Sequence, residues 1–206
     1  MPLLKSKEKK ERSLGVKLFL KGDRCNSPKC VMVRRPYRPG EHGKDRRRPL
    51  SEYGTQLLEK QRIKFSYGLR EAQLSRIFKK GLSKSGSISN TIIGALERQF
   101  SNVVFRLGFA PSRIVARQLI GHGHFMINGK KVNVPSHELR VGDKVSISPK
   151  SKELLIFKEL PNIIKNHDPL PWLGLDKENI EGQMKLLPQD IEVPFDINLV
   201  VDYYSK

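Results

Sequence analysis

The stretch 121–131, GHGHFMINGKK, holds residue types from which phosphate, metal and acid–base sites are built. A phosphate-binding loop of the nucleotide hydrolases needs four residues between its glycines, then Lys followed by Ser or Thr. Here five residues separate Gly123 from Gly129, and Lys131 follows Lys130. The spacing therefore excludes that loop.

His122 and His124 could serve as metal ligands. Catalytic zinc needs a third protein ligand and a supporting hydrogen-bonded shell. No acidic residue lies between Gly108 and Ser136, so we expect no metal here. In the alternative interpretation, Gly121 and Gly123 end a helix with positive φ, and both histidines are solvated.

Basic residues flank the histidines on both sides. Arg113 and Arg117 lie four apart, on one face of a predicted helix, and Lys130 and Lys131 follow the turn. Such an acid-free surface suits the RNA backbone, where Lys and Arg replace condensed counterions. A solvated basic face is the alternative.

A second basic stretch is YRPGEHGKDRRRP, residues 37–49. Such a run can be a solvated face or a localisation signal. The interleaved Tyr37 and His42 could instead stack on bases, which single strands and loops of RNA expose. RNA is favoured over DNA because no groove-reading helix of the known motifs is present.

Cys25 and Cys30 could form half of a zinc site, but structural zinc takes four ligands and no second cysteine pair exists. We therefore expect two free thiols. No nucleophile-elbow or metalloprotease motif occurs, and the acidic residues cluster near the carboxyl end. The sequence predicts no enzyme.

The formal charge of +18 favours a polyanionic partner, either nucleic acid or an anionic membrane surface. The charge is uneven, with net +11 in residues 1–50 and net −4 in residues 151–206. The final quarter should therefore meet something else, such as a basic protein. No apolar run reaches the roughly 18–20 residues of a membrane helix, and the amino end lacks a signal peptide core. We expect a soluble intracellular protein.

The elements that would position these side chains follow from periodicity and turn signals. Residues 1–50 are expected to be extended or looped, and 151–166 helical with a break near Pro161. Helices are predicted over 51–65, 70–80, 90–100, 103–107 and 113–120. Strands are predicted over 125–127, 131–134, 144–148 and 198–204. Asn128-Gly129 predicts a tight hairpin, since a type I′ turn needs positive φ at both positions.

These predictions give an α+β fold in four segments. Residues 1–50 form a basic N-terminal arm, and 51–95 form the helical domain. Residues 96–150 form a helix–helix–hairpin–strand module, and 151–206 return to the helical domain.

The ordered motifs resemble one family nearly end to end: small-ribosomal-subunit protein four, of bacterial or organellar type. The matching stretches are GVKLFLKG (15–22), RRPYRPGEHG (34–43), LSEYGTQLLEKQRIKFSYGLREAQ (50–73), NVVFRLGFAPSRIVARQLIGHGHFMINGKKV (102–132), GDKVSI (142–147) and VDYYSK (201–206).

The resemblance implies a structural, non-catalytic RNA binder that contacts the 5′ domain of small-subunit ribosomal RNA and nucleates assembly of the subunit body. It also implies a place beside small-subunit proteins three and five at the messenger RNA entrance channel, and a part in decoding accuracy. The protein would be a monomer within the cytoplasmic or organellar ribosome, without membrane contact or cofactor. The expected RNA-binding residues are Arg34, Arg35, Tyr37, His42, Lys44, Arg46, Arg47, Arg48, Lys60, Arg62, Lys64, Arg106, Ser112, Arg113, Arg117, Gln118, His122, Gly123, His124, Asn128, Lys130 and Lys131.

One departure from the family concerns zinc. Zinc-bearing members have four N-terminal cysteines, whereas here Glu8 and Glu11 stand near the first pair. We infer that zinc is lost or weakly held. Two alternatives remain, an RNA-modifying enzyme that carries the same module and a zinc-dependent RNA binder.

Overall fold

The computed structural model describes residues 6–46, 48–83, 86–189 and 191–205. The chain divides into two compact units. The first unit comprises Met1–Ile92 with Ile191–Lys206, and the second comprises Ile93–Asp190. Within the described ranges, no helix is both long enough and apolar enough to cross a bilayer.

Among the described residues, the strands all lie in the second half of the chain. The first part contains α1 (Lys7–Leu14), α2 (Asp23–Asn26), α3 (Val31–Arg34), a 3-10 turn (Glu41–Lys44), α4 (Glu52–Ser66), α5 (Glu71–Leu82) and α6 (Ile88–Glu97). The next part contains α7 (Phe100–Arg106), α8 (Arg113–Gly121), β1 (Phe125–Ile127), β2 (Lys130–Lys131), β3 (Lys144–Ile147) and α9 (Pro149–Lys152). The last part contains α10 (Leu155–Lys158), α11 (Leu160–Lys165), β4 (Leu173–Asp176), β5 (Glu181–Met184) and α12 (Ile197–Ser205). The predicted α+β class is confirmed.

The first unit is built around the long helix α4. Its predicted cap is present, since the Ser51 hydroxyl accepts a hydrogen bond from the Gly54 N–H at 3.2 Å. Helix α12 packs against α4 and α5. Ile63, Leu74 and Val200, one from each of these helices, are fully buried, so the carboxyl end completes this core.

The carboxyl end is helical, and the strand predicted over 198–204 is wrong. Its β-branched and aromatic residues suggest a strand, but Ile197 and Val200 are buried at helical spacing. The Asp196 carboxylate accepts hydrogen bonds from the N–H groups of Asn198 (3.0 Å) and Leu199 (3.4 Å), which starts the helix. Packing against α4 and α5 decides the conformation here, because burial outweighs β-propensity.

The N-terminal arm is more structured than the sequence predicts. Helix α1 ends at Gly15, which has φ +69°, as a left-handed cap requires. Glu11 is 2% exposed, and its carboxylate accepts hydrogen bonds from the N–H groups of Leu18 and Leu20, both at 3.1 Å. A buried carboxylate thus organises the loop that follows α1. The expectation of an extended or looped arm fails over α1, α2 and α3, which are helical.

The second unit carries an antiparallel sheet whose described strands follow the order β2-β1-β3-β5-β4. The predicted hairpin is confirmed, with φ +49° at Asn128 and +76° at Gly129. Phe125 on β1 is fully buried, and its ring lies 6.1 Å from that of Phe109 and 5.9 Å from that of Phe157. These aromatic contacts hold the α7–α8 pair on one side of the hairpin.

Strands β4 and β5 are absent from the sequence prediction, and they extend the sheet through pairing of β3 with β5. Gly182 allows this pairing, because a Cβ there would lie 2.2 Å from the buried Leu107 side chain. The sequence predicts that all of 151–206 returns to the helical domain. In the structure only 191–206 joins the first unit, and the two added strands keep residues 151–190 in the second.

Candidate nucleic-acid interface

Helix α8 begins at a capped and buried position. The Ser112 hydroxyl accepts a hydrogen bond from the Val115 N–H at 3.3 Å, and Ser112 is 2% exposed. Arg113, the first helical residue, donates from Nε to Oδ1 of Asn102 at 2.7 Å. Its guanidinium also lies 4.8 Å from the centre of the Phe105 ring. Ser112 is thus a cap, and Arg113 is fixed in direction rather than loosely solvated.

The buried carboxylate of Glu97 is a positioning group that was not predicted from the sequence. Glu97 is fully buried and accepts two hydrogen bonds from Arg106, each at 3.0 Å. Asn102 donates to the same carboxylate at 2.8 Å, and the Arg113 guanidinium reaches it at 4.0 Å. A buried charge persists only when it is paired and hydrogen-bonded, as here. Glu97 therefore positions Arg106 and Arg113. In the sequence, the sign of this role is a single acidic residue next to the apolar stripe of α6.

The turn after α8 is shaped by one glycine. Gly123 has φ +76°, whereas Gly121 is the last residue of α8 and lacks the positive φ expected of it. A Cβ on Gly123 would lie 2.1 Å from Cε of Lys131 and 2.8 Å from Oδ1 of Asn133. The glycine thus lets the Lys131 side chain cross the turn.

The two histidines meet at this turn, with ring centres 5.9 Å apart. His122 is exposed, while Nδ1 of the half-buried His124 lies 3.0 Å from the Ser151 hydroxyl. Burial, followed by the charges of His122 and Lys131, lowers the pKa of His124. The neutral form of His124 is therefore favoured, so this side chain contributes little positive charge to the surface near neutral pH.

The hairpin presents both lysines to solvent. Lys130 and Lys131 are exposed on β2. Asn128 holds the hairpin instead of facing outward. It donates to Asp143 at 2.8 Å and accepts from the Lys144 N–H at 2.9 Å. The amide of Asn128 is thus occupied within the protein.

We call the surface formed by Arg113, Arg117, Gln118, His122, His124, Lys130 and Lys131 the module face. Residues 98–137 contain no acidic residue, and the buried Glu97 carboxylate lies 4.0 Å from the Arg113 guanidinium of this face. The contact between Ser151 and His124 also brings α9 to its edge, with Lys150 and Lys152 exposed. Sequence reasoning missed these two lysines because they lie after β3, outside the predicted turn.

The predicted contacts on α4 are paired within the protein. Lys60 is 6% exposed and bonds Glu71 at 2.9 Å and the Tyr203 hydroxyl at 3.1 Å. Lys64 bonds Glu71 at 2.7 Å, and Arg62 pairs with Glu59. Lys60 and Lys64 join α4 to α5 through the single carboxylate of Glu71, whereas Arg62 pairs with Glu59 within α4, so the three positive charges are partly compensated.

In the N-terminal arm the predicted residues surround Tyr37. The Lys44 ammonium and the Arg12 guanidinium each lie 5.0 Å from the centre of its ring. His42 bonds Asp45 at 2.8 Å. The remaining predicted residues Arg34, Arg35, Arg46 and Arg48 are exposed, and Arg47 lies outside the described residues.

The cysteines do not form a metal site with their surroundings. Cys25 and Cys30 are both buried, and desolvation raises the pKa of Cys25, which opposes the thiolate that zinc requires. Glu8, near the place of a cysteine in zinc-bearing relatives, pairs instead with Lys21 and Arg24. Across the ranges that the structure describes, no group of three or more potential ligands converges. The residues present therefore do not fit a structural zinc.

Comparison with known proteins is consistent with this surface. The family described as ribosomal protein S4/S9 N-terminal domain matches residues 3–102, and the S4 domain matches residues 101–145. The small ribosomal subunit protein uS4 of Thermosipho melanesiensis is 43% identical over 95% of this chain and 94% of its own length. The uS4 proteins of Thermus thermophilus (43%) and Caldicellulosiruptor bescii (45%) match with the same coverage.

The chain belongs to the uS4 family. The match to the S4 domain covers α7 from its second residue, α8 and the β1–β2 hairpin, and thus every residue of the module face. The resemblance inferred from the sequence motifs is confirmed. The individual RNA contacts remain predictions.

Proposed function

We propose that this chain is a structural protein of the small ribosomal subunit that binds its RNA and catalyses no reaction. The observation that carries the proposal is the basic module face, whose residues come from the acid-free run 98–137 and whose Arg113 is positioned by Asn102 and the buried Glu97. The family match supports it. No cluster of nucleophile, base and orienting group occurs among the described residues of the module face, so an RNA-modifying enzyme gains no support.

The mechanism follows from electrostatics and rigidity. Each phosphate neutralised by Lys or Arg releases condensed counterions, which drives binding without sequence preference. Because Arg113 is fixed by Asn102 and Phe105, it loses little freedom on binding. The α8 end and the tight hairpin set the spacing of the charges, so the shape of the RNA supplies most of the specificity.

We further propose, from the family resemblance, that the RNA partner is the 5′ domain and that binding nucleates assembly of the subunit body. The exposed Lys44, Arg46 and Arg48, with Arg47 outside the described residues, are proposed to lie along the messenger RNA entrance channel.

Small-subunit proteins three and five are the proposed protein neighbours. The segment 151–206, which has a net negative charge, is proposed to carry part of the contact with protein five and thereby to influence decoding accuracy. Leu155 and Ile156 are 81% and 61% exposed in this segment, beside the exposed Glu153 and Glu159. Exposed apolar side chains suit a protein partner, and the net negative charge of the segment favours one that is basic.

The test of RNA binding measures affinity for a 5′-domain RNA fragment across salt concentrations. Replacement of Arg117, Lys130 and Lys131 by Gln should reduce the slope of log binding constant against log salt concentration by about 2–3, at roughly 0.7–0.9 per phosphate contact. Arg113 stays in place because it bonds Asn102. Native Trp172 fluorescence would verify folding.

A matched variant loses three exposed lysines elsewhere in the second unit, Lys158, Lys165 and Lys185. It should keep the wild-type slope. Salt-insensitive binding by the wild type, or equal losses in the two variants, would refute the proposed interface. Co-sedimentation with the small subunit at high salt would test membership of the particle.

A further inference from the structure

The turn between β1 and β2 contains the one asparagine of this chain that a glycine follows, Asn128-Gly129. Both residues are exposed to water. An asparagine in this position is chemically labile, because a following residue without a side chain lets its backbone nitrogen approach the side-chain amide carbon. The turn that closes the hairpin therefore contains an amide that can be lost without an enzyme.

The loss of this amide consumes only water. The Gly129 nitrogen, once it has given up its proton, attacks Cγ of Asn128, so that an N–Cγ bond forms, the Cγ–Nδ2 bond breaks and ammonia leaves. Water then opens the cyclic imide. Attack at Cγ yields an aspartate in the normal backbone, and attack at the main-chain carbonyl carbon yields isoaspartate, whose backbone runs through Cβ. In both cases an amide and water become a carboxylate and ammonium, with no change in oxidation state.

The folded hairpin opposes ring closure. Nδ2 of Asn128 donates to Oδ1 of Asp143 at 2.8 Å, and Oδ1 of Asn128 accepts from the Lys144 N–H at 2.9 Å. Turning Cγ toward the Gly129 nitrogen breaks both bonds. Asn128 also has φ +49°, in the left-handed region, where ψ is near +47°. A five-membered ring that contains the Cα–C bond fixes ψ far from that value, so the backbone must leave the turn before it can react.

The amide is also needed for the hairpin to join the rest of the sheet. Asp143 is fixed on its other side, since its Oδ2 accepts from the Arg140 N–H at 2.8 Å and its carbonyl accepts from the Met184 N–H at 3.1 Å. Loss of the amide replaces the Nδ2 donor by a carboxylate oxygen that faces Oδ1 of Asp143. The attraction then becomes a repulsion between like charges.

We propose that Asn128 is a deamidation site gated by folding. The folded hairpin preserves the amide, whereas the unfolded chain loses it to water. A chain that has lost the amide cannot restore the contact with Asp143, so its module is destabilised. Time spent unfolded is thereby recorded covalently at the tip of the hairpin.

The first test follows the amide of Asn128 in the full-length wild-type chain. Folded protein and protein unfolded in guanidinium chloride are incubated at the same neutral pH, and tryptic peptides are analysed by mass spectrometry. Asn179 is the matched control within each sample, because it is also exposed and also donates to a carboxylate, that of Asp176, at 2.8 Å. Ile180 follows Asn179, and its branched side chain hinders ring closure.

Asn128 should lose its amide about tenfold faster in the unfolded chain than in the folded one. The folded chain must first open two hydrogen bonds, one of them to a carboxylate. Asn179 should keep its amide in both samples. Equal rates at Asn128 in the two samples, or a faster rate in the folded chain, overturn the proposed gating.

The second test asks whether the hairpin needs the amide. Asn128→Asp should lower the urea midpoint read at Trp172 by about 0.5–1 M. Addition of Asp143→Asn exchanges donor and acceptor, because the amide at position 143 can donate to the carboxylate at position 128 while its oxygen still accepts from the Arg140 N–H. The double variant should therefore recover most of the loss. Asn162→Asp adds the same charge at an exposed position of the same unit and should leave the midpoint unchanged.

An Asn128→Asp midpoint equal to that of the wild type overturns the requirement for the amide. Should Asn128→Asp fail to fold, the double variant decides the matter. A cooperative transition in the double variant upholds the contact with Asp143, and its absence overturns it. None of these readouts involves RNA, so their outcome leaves the proposed function untouched.

Discussion

Substitution of Glu97 by Gln tests whether one buried carboxylate organises the module face. Glu97 accepts two hydrogen bonds from Arg106 and one from the Asn102 side chain. Hydrogen bonds to a charged group contribute about 1.5–3 kcal/mol each, against about 0.5–1.5 kcal/mol for neutral pairs. In the Glu97→Gln variant an NH₂ group that faces donors replaces one carboxylate oxygen, so at least one bond becomes repulsive.

The expected loss in the free energy of unfolding is about 3 kcal/mol, the lower end of the range for breaking a buried ion pair. The lower end applies because the Arg106 side chain is 25% exposed and recovers some hydration. With a urea m-value of about 2 kcal/mol/M, the unfolding midpoint should fall by about 1.5 M.

Trp172 provides the assay, since it is the only tryptophan of the chain, is 5% exposed and lies in the same unit. Glu153→Gln, at an exposed position in that unit, is the matched control and should change stability by less than about 0.5 kcal/mol. The double variant with Arg106→Gln should be less destabilised than the sum of the single variants, by about 1–2 kcal/mol. A Glu97→Gln midpoint equal to that of the wild type would refute the argument.

Lowering the pH from about 7.5 to about 5.5 should decrease the urea midpoint read at Trp172. The pKa of His124 is depressed in the folded chain from the ordinary value of 6.5, so the unfolded chain binds more protons than the folded chain as the pH falls through that value. His124→Gln should reduce this dependence, and an unchanged pH profile would contradict it. Burial alone would raise the pKa of Glu71, but two lysines of α4 hold it at about 2. Its stabilising charge is therefore complete above 4.5 and is lost as the pH falls toward 2, so hydrogen exchange in α12, corrected for intrinsic rates, should accelerate over that window. Glu71→Gln should accelerate it already at neutral pH, and full protection there would count against the pairing. Gly123→Ala should cost about 1–2 kcal/mol at its positive φ, whereas Gly121→Ala, in helical conformation, should be neutral or stabilising, and equal effects of the two would argue against the assigned geometry.

Local signals predicted the elements that depend on neighbours in the chain. Ser51 and Ser112 cap helices because their hydroxyls reach N–H groups three residues ahead. Asn128-Gly129 forms the hairpin because both residues tolerate positive φ. The module face could be anticipated for the same reason, since Arg113 and Arg117 share one helical face and the turn and hairpin follow directly.

Contacts between distant residues explain the failures. Residues 198–204 have strand-forming composition but form α12, because α4 and α5 bury one helical face of it. Strands β4 and β5 were missed because they are four-residue segments stabilised by pairing with β3. Contacts of the same kind engage the ammonium of Lys60, which bonds Glu71 and Tyr203, from the far end of the chain, while its RNA contact stays a prediction.

The sequence by itself determined the family, the α+β class, the uneven charge and the acid-free run that favours RNA, because motifs, composition and local periodicity depend only on the order of the residues. The tertiary structure alone decided which cations remain exposed. It placed Glu97 beside Arg106, paired both Lys60 and Lys64 with the single carboxylate of Glu71, and gathered Lys7, Lys9, Arg34 and Arg35 around one cavity. Pairing of a charge depends on what folding brings within about 4 Å of it, and sequence spacing does not specify that distance.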